Sequence, residues 1–333
     1  MTQARQAELL AAMAGVPVLV VGDAMLDEYV WGVAERVSPE APVLVVRSQR
    51  TTHVPGGAAN VVGCLLALGA RCGLSGAVGC DRQADVLRAK LVELGAAPVE
   101  LVADALRPTT VKTRVLAHTQ QVVRIDHESR APLENGPARD LLARVASALD
   151  GCRGLLLSDY DKGVLNPETI PALLALAAQR GVRVAVNAKP RLAAFYQGVD
   201  LLTVNRVEAE ALCGITPDTP AKAAHAAEWI GEHLDCGATL VTLGGEGAVL
   251  HERHGATTAI APIPVAVCDP AGAGDTTIAT AHLALCAGAT PVEAARVAMY
   301  AAAVVVRKVG VATATPREIL ALTGPPVLDS QAG

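Results

Sequence analysis

Residues 269 to 277 read DPAGAGDTT, placing two glycines and two aspartates directly ahead of the apolar run Ile278 to Ala287. Gly272 and Gly274 let the backbone turn tightly and expose successive N–H groups, and the helix expected next brings its positive dipole end to the same point. Such a turn holds an anion. Asp275 falls in the first helical turn; beside a bound phosphate its carboxylate would accept a proton or bind a metal, and a general base is its natural role. A plainer reading is a glycine turn with Asp275 capping the helix, and the stretch taken alone leaves both open.

A second cluster, PGGAANVVGCLLALG at 55 to 69, sets Gly56 and Gly57 before a helix and Asn60 in its first turn. There, backbone N–H groups and a side-chain amide can hold substrate hydroxyls. A glycine-rich helix entry capped by Asn60 is the alternative. Asp27, just past the first expected strand in GDAMLDEY, could pair with further hydroxyls or simply be solvated.

The elements that must position these residues alternate. Short strands are expected at Val16 to Val21, Arg153 to Leu157, Val182 to Val186, Leu201 to Val204 and Thr239 to Leu243. Helix-length segments lie at Ala58 to Leu68, Asp81 to Leu94, Arg139 to Leu149, Pro167 to Gln179 and Ala221 to Leu234. This order predicts an α/β fold with right-handed crossovers and a mainly parallel sheet, with ligands outside the carboxyl ends of the strands. The polar stretches GD, SDYDKG, NAKP, TVNRVEAE and TLGGEG should therefore gather on one edge. Residues 29–54 and 109–127 break the rhythm: they alternate polar with apolar, which suits antiparallel strands forming a small β-sheet lid over the main sheet. The expected organisation is one domain over 1–325 with a tail at 326–333 and no internal repeat.

Composition excludes several classes of function. The 333 residues are 51% hydrophobic and 18% charged, so a large buried core is affordable and disorder is not expected. A net charge of −5 with no long Lys or Arg block argues against nucleic acid or an anionic membrane surface as partner. The eight cysteines lie scattered without C-x-x-C spacing, which reads as reduced core thiols of a cytoplasmic protein and makes a zinc site improbable. His251 and His254 are expected in a solvated turn between two strands. The first residues do not resemble a signal peptide, and Val297 to Val306 is too short to span a bilayer and reads as a buried helix.

GDAMLD, PGGAANV, NRVEAE, TLGGEGAVL and DPAGAGDTT together resemble, in order and spacing, the ribokinase-like (pfkB) sugar kinases, over nearly the whole chain. Within that family RVSPEAPVLVV, TRVLAHTQQVVRID and LSDYDKG are most similar to the bacterial branch acting on D-glycero-β-D-manno-heptose 7-phosphate. The resemblance implies a three-layer α/β/α domain and ATP-dependent phosphorylation of the C1 hydroxyl to give the 1,7-bisphosphate. It also implies a kinase module without the nucleotidyltransferase module fused to many relatives.

Carried over residue by residue, the resemblance makes Asp275 the base, with the backbone of Gly272, Ala273, Gly274 and Asp275 as the anion hole. Asn205 and Glu208 would stand near the ATP phosphates and Mg²⁺. Thr242, Gly244 and Gly247 would flank the nucleotide, and Lys189 and Asn187 would contact its phosphates. Glu208 and Asp269 are the candidate metal ligands, with a monovalent cation such as K⁺ as a further expectation. The sugar phosphate would meet Asp27, Gly56, Gly57, Asn60 and Asp159, with cations drawn from Lys112, Arg114, Arg124 and Lys162, each of which could equally be a solvated lid or loop charge. Two departures stand out. Ala271 replaces a hydroxyl residue usual in the heptose branch, and NAKP at 187 to 190 replaces its D-P-K-G. Alternatives are a pfkB kinase for ribose or fructose 1-phosphate, or a catalytically silent ligand-binding homologue. Apolar lid residues, Val43, Val45, Val111 and Val115 among them, suggest a homodimer joined through the lids.

Overall fold

A computed structural model describes residues 1–118 and 120–323. Its strands are β1 Pro17–Gly22, β2 Ala24–Val37, β3 Leu44–Gly57, β4 Arg71–Val78, β5 Val99–Ala103, β6 Thr110–Ala117, β7 Gln120–His127, β8 Gly154–Ser158, β9 Arg183–Asn187, β10 Leu201–Asn205, β11 Ala238–Thr242, β12 Ala248–Glu252 and β13 Thr257–Ile260. Its helices are α1 Gln3–Ala12, α2 Ala58–Ala67, α3 Arg82–Glu93, α4 Asn135–Ala148, α5 Thr169–Arg180, α6 Arg206–Cys213, α7 Pro220–His233, α8 Ala273–Cys286, α9 Pro291–Val305 and α10 Pro316–Thr323.

Nine strands form the main sheet in the order β13-β12-β11-β10-β9-β8-β1-β4-β5. From β5 to β11 they run parallel, and β12 and β13 close one edge antiparallel. Two apolar cores flank this sheet, one built with α2, α8 and α9 and the other with α4, α5 and α7, which gives the three layers. Small aliphatic side chains make this possible, because a parallel strand must pack on both faces. Helix α8 is buried from Asp275 to Cys286, so the chemistry-bearing stretch opens the most enclosed helix of the molecule. The order also reverses around β1: the chain leaves it toward β4 and β5 on one side and toward β8 and its successors on the other. The crevice at such a reversal is where α/β sheets take ligands.

The expected strands correspond to β1, β8, β9, β10 and β11. Of the four others, β12 and β13 answer to the strands expected on either side of the turn at His251 and His254, for which no bounds were read, while β4, with two internal glycines, and β5 were not legible. His251, expected in a solvated turn, is 4% exposed within β12 and bonds through Nδ1 to Thr257 Oγ1 at 2.9 Å. Cys80 and Cys268 are exposed, so the cysteines are not all core thiols.

The lid is a four-stranded sheet in the order β3-β2-β6-β7. It was expected to be antiparallel throughout, but β2 and β6 pair in parallel, Met25 opposite Thr110. Both strands leave the same edge of the main sheet, β2 after β1 and β6 after β5, so they set out in one direction. Val111 is buried at 7% exposure rather than lying on the open face; the exposed apolar side chains are Val37, Val43, Leu44, Val122, Val123 and Ile125.

Candidate active site

Gly272 caps α8 in the left-handed region, φ 79°, which a side chain would strain. Among the described residues, the N–H groups of Gly272, Gly274 and Asp275 have no backbone partner, whereas Ala273, expected in the anion hole, donates its N–H to Pro270 O at 3.2 Å. The turn therefore offers three amides, and the contribution assigned to Ala273 belongs to the turn itself. A Cβ on Gly274 would point into open space, so the backbone there is bare to a ligand.

Asp275 is 8% exposed and does not cap α8 with its side chain. Asn60 Nδ2 donates to its Oδ2 at 2.6 Å, and the Tyr160 hydroxyl donates to its Oδ1. Burial pushes the Asp275 carboxyl above its ordinary range; the bonds from Tyr160 and Asn60 and the charge of Lys189 pull it back, and Asp27 pushes it up again. Asn60 thus reaches Asp275 from the first turn of α2 rather than capping that helix, whose N-cap is Gly57 at φ 55°. A Cβ on Gly57 would strike the carbonyl of Asp23, and one on Gly56 the carboxylate of Asp27, so both glycines answer to close packing at the base of the lid.

Tyr160 was missed in the sequence, although SDYDKG carries it. Its loop is tied from below by Asp23, which accepts N–H bonds from Tyr160, Lys162 and Val164 at 2.9, 3.0 and 3.1 Å. Burial, with Asp159 nearby, pushes the Asp23 carboxyl up to about 6. Asp159, expected at the sugar, is fully buried instead: it accepts from the Tyr196 hydroxyl at 3.0 Å and from the N–H of Asp161 and of Lys189. Burial raises its pKa too. These bonds fasten the loop.

Two cavities meet at this point. A polar one of about 580 Å³ is lined by Tyr160, Asn187, Lys189, Asn205, Glu208 and Asp275, with Thr242, Gly272 and Gly274 on its wall. A larger apolar one of about 970 Å³ runs beside it between Gly244, Gly247, Val265, Met299, Ala302 and Val306. Thr242, Gly274 and Thr277 belong to both. Asn205 and Glu208 form a capping box at the start of α6: Asn205 Oδ1 accepts the Glu208 N–H at 3.0 Å and Glu208 Oε2 accepts the Asn205 N–H at 2.9 Å. Glu208 Oε1 pairs with Lys189. The carboxylate and amide oxygens around this cavity are hard donors of the kind magnesium prefers. Asp269 lies elsewhere, its oxygens accepting from Ala271 N–H at 2.9 Å and Gly310 N–H at 3.0 Å, so it joins two loops. Among the described residues no group of three or more His, Cys, Asp or Glu could hold a metal by themselves.

The expected sugar-phosphate cations are all paired. Arg114 meets Asp27 at 2.6 Å, Lys162 meets Glu128 at 2.8 Å, Lys112 meets Asp126 at 3.2 Å and Arg124 meets Asp126 at 2.9 Å. Among the described residues no helix is long and apolar enough to cross a membrane.

Comparison with known proteins follows the same lines. The profile of the pfkB family carbohydrate kinases matches residues 17–318. The chain is 42% identical over 302 residues to a protein named bifunctional protein HldE from Pelobacter propionicus, covering 91% of this chain and 62% of that one. It is 40% identical over 321 residues to the protein of the same name from Geobacter sulfurreducens, covering 96% and 66%. It thus spans less than two thirds of the length of these relatives. Among solved structures it superposes on phosphofructokinase-2 from Escherichia coli in complex with fructose-6-phosphate (TM-score 0.75, 20% identity, 93% of this chain and 98% of that one). A second is Arabidopsis thaliana ribokinase complexed with ribose and ATP (TM-score 0.72, 22% identity, 93% and 99%). At such identity these two speak for the fold.

Proposed function

The chain belongs to the pfkB family of carbohydrate kinases, and on that premise we propose that it phosphorylates the C1 hydroxyl of D-glycero-β-D-manno-heptose 7-phosphate from ATP. The observation that carries the reading is the meeting of a buried carboxylate, Asp275, with three unpartnered amides where a polar and an apolar cavity join. The base and ribose of ATP fit the apolar cavity against Met299, Ala302 and Val306, leaving the phosphates to cross Gly274 into the polar one. Asp275 accepts the C1 hydroxyl proton as that oxygen bonds to the γ-phosphorus and the bond to ADP breaks. The amides of Gly272, Gly274 and Asp275 hold the oxygens of the moving phosphoryl group, whose loose transition state needs positioning and charge neutralisation above all. Glu208, with Asn205 and Asn187, would hold Mg²⁺, which when bound neutralises phosphate charge. Lys189, now paired with Glu208, is placed to turn to the same phosphates.

The choice of sugar rests on the resemblance of the lid and of LSDYDKG to the heptose branch, and on a lid rich in Lys and Arg. Each of those cations is already paired, so the distal phosphate would take over Lys112, Arg114, Arg124 or Lys162 from a carboxylate. An inert homologue is disfavoured by the intact base and the free amides. The exposed apolar face of the lid would be covered by a second copy. A substrate panel read by ADP release tests the proposal: heptose 7-phosphate should give the highest kcat/KM, and faster turnover of ribose or fructose 1-phosphate would overturn the choice of sugar.

A further inference from the structure

Resting on the reading of Asp275 as the base, we propose that Tyr160 is a positioning residue for the transfer, its hydroxyl holding one carboxylate oxygen of Asp275 so that the base presents a fixed face to the acceptor. The geometry singles it out. Asn60 grips Oδ2 from α2 and Tyr160 grips Oδ1 from the loop after β8, so rotating the carboxylate about its Cβ–Cγ bond breaks two hydrogen bonds at once. The loop cannot drift, because Asp23 binds the N–H of Tyr160 and Asp159 binds the next turn of chain and the N–H of Lys189. The Lys189 ammonium stands 5.8 Å from the centre of the Tyr160 ring, which connects the ring to the side of the site expected to take nucleotide. Burial and the neighbouring carboxylate push the Tyr160 hydroxyl well above its ordinary pKa, so it keeps the proton that it donates to Asp275.

The groups that face Asp275 are Asn60 and Cys64 of α2, Asp27 of β2, Tyr160, Lys189 and Thr276 of its own helix. Among these, Tyr160 and Asn60 hydrogen-bond the carboxylate and Lys189 adds positive charge; all three favour its ionised form. Removing the phenolic oxygen alone therefore frees Oδ1 and makes Asp275 easier to protonate, with the ring still filling its place.

The test is Tyr160→Phe. In ligand-free protein with ¹³C-labelled aspartate, the Asp275 carboxyl signal, identified by its absence in Asp275→Asn, should titrate at higher pH in Tyr160→Phe than in wild type. In turnover, kcat should fall on the order of tenfold while the sugar KM stays within about twofold, and the acid limb of the pH profile should move up. An unchanged carboxyl midpoint, or unchanged kcat at every pH, overturns the role of Tyr160. Failure of the wild type to phosphorylate any sugar would overturn the function instead, and the carboxyl titration would still decide Tyr160. Should the variant not fold, a tyrosine Cζ signal in wild-type protein that follows the Asp275 titration and loses that response in Asp275→Asn supports the bond, and its absence refutes it.

Discussion

The cleft around Asp275 and the lid hold their charges in opposite ways. At Asp275 a single buried carboxylate is gripped by two neutral donors, an amide and a phenol, carried on elements that are themselves packed into the sheet. At the lid, charge meets charge: Arg114 with Asp27 and Lys112 with Asp126 and Glu128 on the lid strands, and Lys162, from the loop after β8, with Glu128 just after β7. The first arrangement is preorganised, since neutral donors fix the carboxylate without cancelling the charge it needs to accept a proton. The second is exchangeable. These pairs are largely enclosed, so an incoming phosphate would have to take the place of the carboxylate partner rather than leave the cation bare.

Asp275→Asn should break the first half of this contrast most severely. Turnover should fall by about 10² to 10⁴, the span typical of a lost general base, with ATP binding kept. Thermal stability should hold or rise, because a buried charge disappears while its volume stays. Calorimetry and single-turnover assays would check both, and a variant that still turns over would remove Asp275 from the reaction. Lys162→Met probes the charge-paired half, from the loop after β8 that faces the lid. Lys162 is 9% exposed and bonds to Glu128, and its loss should raise KM for a phosphorylated sugar about tenfold with kcat nearly unchanged. An equal rise in KM for the same sugar without its distal phosphate would assign Lys162 to packing alone. The smallest effect is expected on the open face, where Val123→Glu should lower the sedimentation coefficient by weakening a lid-to-lid dimer; wild-type protein sedimenting as a monomer at micromolar concentration would remove the dimer from the account.

Legibility in the sequence divides along the same boundary. The turn at Gly272 and Gly274 and the position of Asp275 were readable because a glycine hinge before a helix is a local signal, and the parallel strands β1 and β8 to β11 because both their faces are apolar, while the parallel β4 and β5 were not. The pairing direction of β2 with β6 was not readable: it follows from where the two strands leave the main sheet, some eighty residues apart in sequence. Asn60 was expected to meet substrate hydroxyls and is found hydrogen-bonded to Asp275; Asp159 was expected at the sugar and is fully buried. Asp23 and Tyr160 lay inside quoted motifs, yet no spacing distinguished them from their neighbours.

The sequence by itself determined the repertoire: a parallel α/β core of small aliphatics, a glycine-hinged anion site, a nearby carboxylate and a lid of alternating charge. Tertiary structure decided the partnerships. Asn60 and Tyr160 lie 215 and 115 residues from Asp275, and only the closing of α2 and the loop after β8 over the mouth of α8 brings them to its two oxygens. A hydrogen bond depends on distance and angle in space, which residue type and spacing along the chain constrain only within an element.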